Sequence, residues 1–165
     1  MQKKGELMGK KTWREKLYSS GDLPKVERLE GKAAAKWGEV LMAIPAPLEV
    51  YEIMSGVSYG KLLTASEIRQ IIAAKHNADI GCPLTTGIFT GISANAAEEI
   101  AAIEGKDPIP YWRTLRAKGE LNEKFPGGIQ AQILKLEAEG HTIIRKGSRF
   151  FVKDFADQLD TSLMQ

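Results

Sequence analysis

Few side chains in this chain could carry reaction chemistry, and they are scattered. There is one cysteine, Cys82, and there are two histidines, His76 and His141. A thiol becomes a useful nucleophile when a cation, a base or a helix N-terminus lowers its pKa. Cys82 lies just before a stretch that reads as a helix, but Pro83 follows it and no histidine adjoins it. It is either a displaced nucleophile or, as is usual for a lone cysteine, a small buried hydrophobe. One cysteine allows no internal disulfide. With two histidines so far apart it makes no metal-ligand spacing, so neither a metal nor a cofactor is expected. The segment "IPYWRTLRAKGELNEKFPGG", residues 109–128, concentrates aromatic and polar groups. A phenol such as that of Tyr111 has a reference pKa of roughly 10 and is a poor nucleophile near neutral pH. An indole nitrogen such as that of Trp112 only donates, so it cannot act as a base. The two rings either floor a base-stacking site, since aromatic faces stack on bases, or fill a pocket and become core.

Charge narrows the choice of partners. Residues 1–36 hold ten Lys and Arg against five Asp and Glu, a net +5, and the remainder holds thirteen against sixteen, a net −3. A basic arm on a mildly acidic body suits either an electrostatic foot for nucleic acid or a solubilising tail. The N-terminal "MQKKGELMGKKTWREKL" has no apolar core and no small-residue cleavage site, so no secretory signal is expected there. No apolar run approaches membrane-spanning length. With the lone cysteine, this points to a cytoplasmic setting and no membrane partner.

The elements that must position these residues are legible from period and caps. Residues 1–44 read as a basic, irregular extension packed on a body of residues 45–165. Within it "TWREKLYSS" suits a short helix after Thr12, "KAAAKWG" a turn or two, and "EVLMAI" a short strand. Trp13 and Trp37 read as anchors onto the body. "PLEVYEIMSGV" has helical spacing. "TASEIRQIIAAKHN" opens with Thr64 and has Glu67 three residues on, a capping box. "IGCP" reads as a tight connection, and "LTTGIFTGISANAAEEIAAIEG" as a third helix starting near Thr85 or Thr86. "IQAQILKLEAEG" is a further amphipathic helix. "HTIIRKGSRFFV" is a hairpin around Lys146-Gly147-Ser148, and "DFADQLDTSL" a last short helix started by Asp154. The expected fold is mainly α with small β, of winged-helix type.

The order of motifs then becomes informative. "VSYGKLLTASEI", a small-residue helix, and "IPYWRTLRAKGELNEKFPGGIQAQILKLEAEGH" together resemble the C-terminal domain of alkylguanine-DNA alkyltransferases. The resemblance runs from about Pro47 to His141. It is similar in particular to a bacterial subset carrying a "PYWR" variant. It aligns Pro110, Tyr111, Trp112 and Arg113 with that family's proline, nucleophilic cysteine, histidine and arginine. Gly127, Gly128, Glu139 and Gly140 fall on the family's glycine-rich loop and Glu-Gly helix end.

The resemblance implies a triad of thiolate, imidazole and orienting glutamate. Tyr111 and Trp112 replace the first two, so no alkyl transfer is expected, and Glu139 is left to a surface or loop hydrogen bond. It also implies binding of double-stranded DNA with an extruded base, as some family members without the cysteine still bind alkylated DNA. Here Ala65 stands where the family uses a nucleotide-rotating tyrosine. Leu84, or Thr85, stands where an arginine fills the vacated stack; Leu84 can wedge but cannot hydrogen-bond the orphaned base. The helix "TTGIFTGISANAAEEI" has no Lys or Arg and carries Glu98 and Glu99. Phosphate neutralisation supplies much of DNA affinity, so binding is expected to be weak. Its cations would come from the arm, from Arg116, Lys118 and Lys124, or from Arg145, Lys146 and Arg149. The alternative is a protein-interaction or structural module with partners of unspecified identity.

Overall fold

The computed structural model describes residues 10–165; the first nine residues of the basic arm, and the expectations placed on them, lie outside the described residues. In chain order the elements are α1 (Trp13–Tyr18), β1 (Lys25–Arg28), β2 (Leu41–Ile44), α2 (Pro47–Ser55), β3 (Leu63–Thr64) and α3 (Ala65–Lys75). They continue with β4 (Ile80–Gly81), α4 (Pro83–Glu104), β5 (Thr114–Leu115), α5 (Gly128–Ala138), β6 (Ile143–Lys146) and β7 (Arg149–Val152). This is a mixed α/β fold, about 49% helix, with small sheets.

Local chemistry explains where the helices begin. The Thr12 hydroxyl accepts from the Glu15 N–H and the Glu15 carboxylate from the Thr12 N–H, which starts α1. At α3 the Thr64 hydroxyl accepts from the Ser66 N–H and the Glu67 carboxylate from the Thr64 N–H. Pro47 and Pro83 each occupy a first helical turn, where a missing N–H costs nothing. That proline sets the start of α4 two residues before the threonines where the sequence suggests it. Gly105, in the left-handed region at φ 65°, ends α4.

The stretch 18–44 is more ordered than the sequence suggests. β1 pairs antiparallel with β2, Lys25 facing Ile44 and Arg28 facing Leu41. β2 in turn pairs parallel with β4, Ala43 facing Gly81. The "IGCP" segment is therefore a strand edge as well as a connection. The sheet order β1-β2-β4 ties residues on both sides of position 45. At Gly81 a Cβ would lie 2.5 Å from the Arg69 carbonyl oxygen, so only glycine lets β4 pass this close to α3. Leu17 of α1 and Leu29 are buried, and Trp13 lies largely on the surface with the Lys16 ammonium 4.3 Å from its ring centre. The C-terminal "DFADQLDTSL" forms two 3-10 turns, Phe155–Gln158 and Thr161–Met164, rather than one helix, and the carboxylates of Asp154 and Asp160 at their starts make no side-chain cap.

Two cores result. The larger joins Val50, Met54, Ile68, Ile72, Phe89, Ala94, Tyr111 and Phe125. The smaller, under the β6–β7 hairpin, joins Leu62, Leu115, Leu121, Leu136 and Val152. Trp112 packs against both.

Candidate functional site

Residues Tyr111–Arg113 form a single 3-10 turn between the two cores. Tyr111 is 2% exposed. Its ring meets Trp112 and Phe125 edge-on, with centroids 5.4 and 5.7 Å away. Its hydroxyl donates to Glu98 at 2.6 Å. Burial, reinforced by the hydrogen bond and charge of Glu98, pushes the phenol above its ordinary value. The ring is therefore a protonated core group and not an exposed stacking floor.

Trp112 donates its indole N–H to Glu139 at 2.9 Å. Arg113 grips the same carboxylate through Nε (2.9 Å to Oε1) and Nη2 (2.9 Å to Oε2), and its Nη1 reaches the Val57 carbonyl at 2.7 Å. The Gly60 N–H adds a fourth donor to Glu139 at 3.2 Å. Burial raises the Glu139 carboxyl, but these donors outweigh it and hold the group below the usual carboxylate range. The expectation of a surface or loop hydrogen bond for Glu139 is thus corrected. Its side chain is 5% exposed and is the hub of a buried ion pair. An indole nitrogen can only donate, and here it donates to Glu139.

The first half of α4 carries a different surface. Leu84 is 71% and Ile88 50% exposed. A Cβ added at Gly87 or Gly91 would meet nothing within 4 Å. These positions recur at helical spacing, so they share one uncharged face. Thr85 is half-buried with an unpartnered hydroxyl, and Ala65 is half-buried at the first turn of α3. Glu98 and Glu99 lie in the second half and both have internal partners. Glu98 accepts from Tyr111, and Glu99 accepts the N–H groups of Trp13 and Arg14 at 3.2 and 2.9 Å, capping α1.

The cations singled out in the sequence differ in availability. Arg116 pairs with Glu123 at 2.7 Å, and Arg149 grips Glu120 through two nitrogens. Arg145 turns onto the Gly147 carbonyl. Lys118, Lys124 and Lys146 are exposed and make no salt bridge among the described residues. Gly127 and Gly128, at φ 80° and 71°, form the turn into α5 that glycine allows. Cys82 is 7% exposed, with its N–H on the Ala43 carbonyl.

Several members of the cluster are not legible in sequence. Gln132, buried in α5, donates to the Trp112 carbonyl at 3.0 Å and accepts from the Asn122 N–H at 2.8 Å. Its signal was a polar residue on the apolar side of a helix. His141 is buried with Nε2 unpartnered, and burial depresses its pKa. Tyr59 stands exposed over Arg113, 5.5 Å from ring centre to guanidinium carbon. Among the described residues, no group of three or more His, Cys, Asp and Glu could hold a metal ion, and no helix is long and apolar enough to cross a membrane.

Against known proteins, no protein-family model and no curated protein matches the chain. Among solved structures it matches S. pombe Atl1 in complex with damaged DNA containing O6-carboxymethylguanine. Identity is 20%, the TM-score is 0.41, and the match covers 68% of this chain and 92% of that one. A second structure, S. pombe ATL in complex with DNA, matches with the same figures. At that identity and overlap the likeness does not carry binding or chemistry over to this chain.

Proposed function

We propose that this is a non-catalytic, alkyltransferase-like protein that binds double-stranded DNA weakly, with a winged-helix body of residues 45–165 and a basic arm of residues 1–44 packed on it. The observation that carries this reading is the first half of α4. It presents the exposed Leu84 and Ile88 beside Gly87 and Gly91, uncharged and with open space where a Cβ would stand at either glycine. A narrow helix surface of small and apolar residues can approach a minor groove closely, and an apolar side chain can wedge a base step. The acids that weighed against this helix are spent on Tyr111 and on α1. Weak affinity follows because α4 carries no cation, so phosphate contacts must come from neighbouring elements.

Absence of alkyl transfer rests on Tyr111 and Trp112. The phenol is buried, protonated and tied to Glu98, and the indole nitrogen is bound to Glu139. The second reading, a protein-interaction module, draws on the same exposed Leu84 and Ile88, because an apolar face also suits a protein partner. Titration of the full chain with plain and O6-alkylguanine duplexes at two salt concentrations tests the choice. Salt-dependent binding with little lesion preference, and no mass gain on the protein, is expected. No binding to either duplex at low salt would overturn the DNA reading in favour of a protein partner.

A further inference from the structure

The stretch after β1 brings an aromatic ring and two cations to the approach of α4. Trp37 lies half-buried between the 3-10 turn Gly31–Ala34 and Gly38, whose N–H closes onto Ala34 at 2.7 Å. The Lys36 ammonium lies 5.0 Å and the Arg69 guanidinium carbon 5.4 Å from the Trp37 ring centre. Arg69 belongs to α3, thirty-two positions further along, so the fold and not sequence proximity assembles the group. Its Nε donates to the Gly81 carbonyl at 3.2 Å, which fixes the guanidinium two residues before Pro83 opens α4.

This cluster is electrostatically unfinished. Lys25, Lys75, Lys106, Arg113, Arg116 and Arg149 all have a carboxylate within 4 Å. Neither Lys36 nor Arg69 has one among the described residues, although Glu30 and Glu39 flank the loop. Two like charges therefore contact one ring with no carboxylate within 4 Å of either among the described residues. An anion at either cation would supply the missing counter-charge and receive charge-assisted hydrogen bonds. Arg69 has two terminal nitrogens in the planar fork that suits a phosphate, and the Nε bond to Gly81 with the indole 5.4 Å away holds that fork in place.

The geometry points to a phosphate clamp made by Lys36, Trp37 and Arg69, which takes the DNA backbone as it passes the start of α4. The inference rests on the DNA-binding reading and supplies the cations that α4 lacks. The ammonium and the guanidinium each neutralise one backbone phosphate, and Trp37 fixes their spacing.

The test is a titration of the full chain with a fluorescein-labelled DNA duplex across a salt series. The log–log salt slope changes by about 0.9 for each phosphate contact removed. Lys36→Gln/Arg69→Gln should lower the slope by nearly two contacts, and Lys36→Gln alone by about one. The single variant changes an exposed side chain, so it keeps the test open if the double variant fails to fold. Lys106→Gln, beyond the far end of α4, should leave the slope unchanged. Trp37→Leu should weaken binding several-fold. A binding wild type whose slope survives loss of Lys36 and Arg69 overturns the clamp and leaves the DNA reading standing, as does an equal loss in Lys106→Gln. A lowered melting temperature with unchanged binding in Trp37→Leu makes that ring packing only and removes it from the clamp. A wild type that binds no duplex at low salt overturns both.

Discussion

At Trp112 one side chain bridges both cores and also feeds the buried ion pair. Trp112→Ala removes packing on two sides and one donor to Glu139, and should cost roughly 3–5 kcal/mol by urea unfolding. Trp112→Phe keeps most of the ring and should cost nearer 1.5–3 kcal/mol, roughly the worth of a hydrogen bond to a charged group. Glu139→Gln leaves Arg113 buried without its counter-charge and should cost about 3–5 kcal/mol. A near-native midpoint for Glu139→Gln would mean that the Val57 carbonyl and solvent suffice for the guanidinium. His141 adds a pH signature. Its folded pKa lies below the ordinary 6.5, so below that value the unfolded chain binds a proton that the folded chain refuses. Stability should therefore fall as pH drops through about 6.5, before the lowered carboxyls of Glu139 and Glu49 begin to take up protons below about 4.5. Unfolding midpoints for wild type and His141→Gln across pH 5–8 check this; parallel curves would remove His141 as the source. The sequence shows that position 111 offers a phenol in place of a ready nucleophile and position 112 an indole that cannot act as a base, because residue type alone decides both. It could not show that Glu139 gains Trp112, Arg113 and Gly60 as donors, since those partners meet only once α5 docks.

Among the elements, α4 shows a conflict between propensity and surface. Gly87 and Gly91 stand in a regular helix with free space around them, where glycine costs about 1 kcal/mol relative to alanine. Gly87→Ala and Gly91→Ala should each raise stability by up to that amount in thermal melts. If the face meets a DNA groove, the same changes should weaken binding, because the added methyl groups hold the helix axis away. Stabilised variants that bind DNA as before would move the contact off this face. The helices were legible because their signals are local: the Thr64–Glu67 box, the apolar period of α2 and α5, the glycine after Glu104. The hairpin was legible for the same reason. β1 and β4 were not. They are short, and they exist as strands only by pairing with β2 at a distance along the chain, Lys25 with Ile44 and Met42 with Ile80. The twin turns after Asp154 were missed because a 3-10 turn and a short helix share the same residue signals.

Taken whole, the molecule does not carry residues 10–44 as a loose tail. Leu17 is fully buried, β1 covers the edge of β2, and Glu99 of α4 caps α1. Removing residues 1–28 should therefore lower the melting temperature by many degrees, and any effect on DNA binding would mix lost charge with lost structure. Unchanged melting would show that the first strand and helix add nothing to the body. The line where β2 meets β4 joins residues on either side of position 45, and it ends on Cys82, whose N–H is bound to the Ala43 carbonyl. That thiol is the chain's only one and is shielded from solvent. It can react with a disulfide reagent only when the β2–β4 seam parts or the whole protein unfolds. Its modification rate is thus a built-in clock. Run against the global unfolding rate, it tells whether the seam breathes by itself or opens only when everything does.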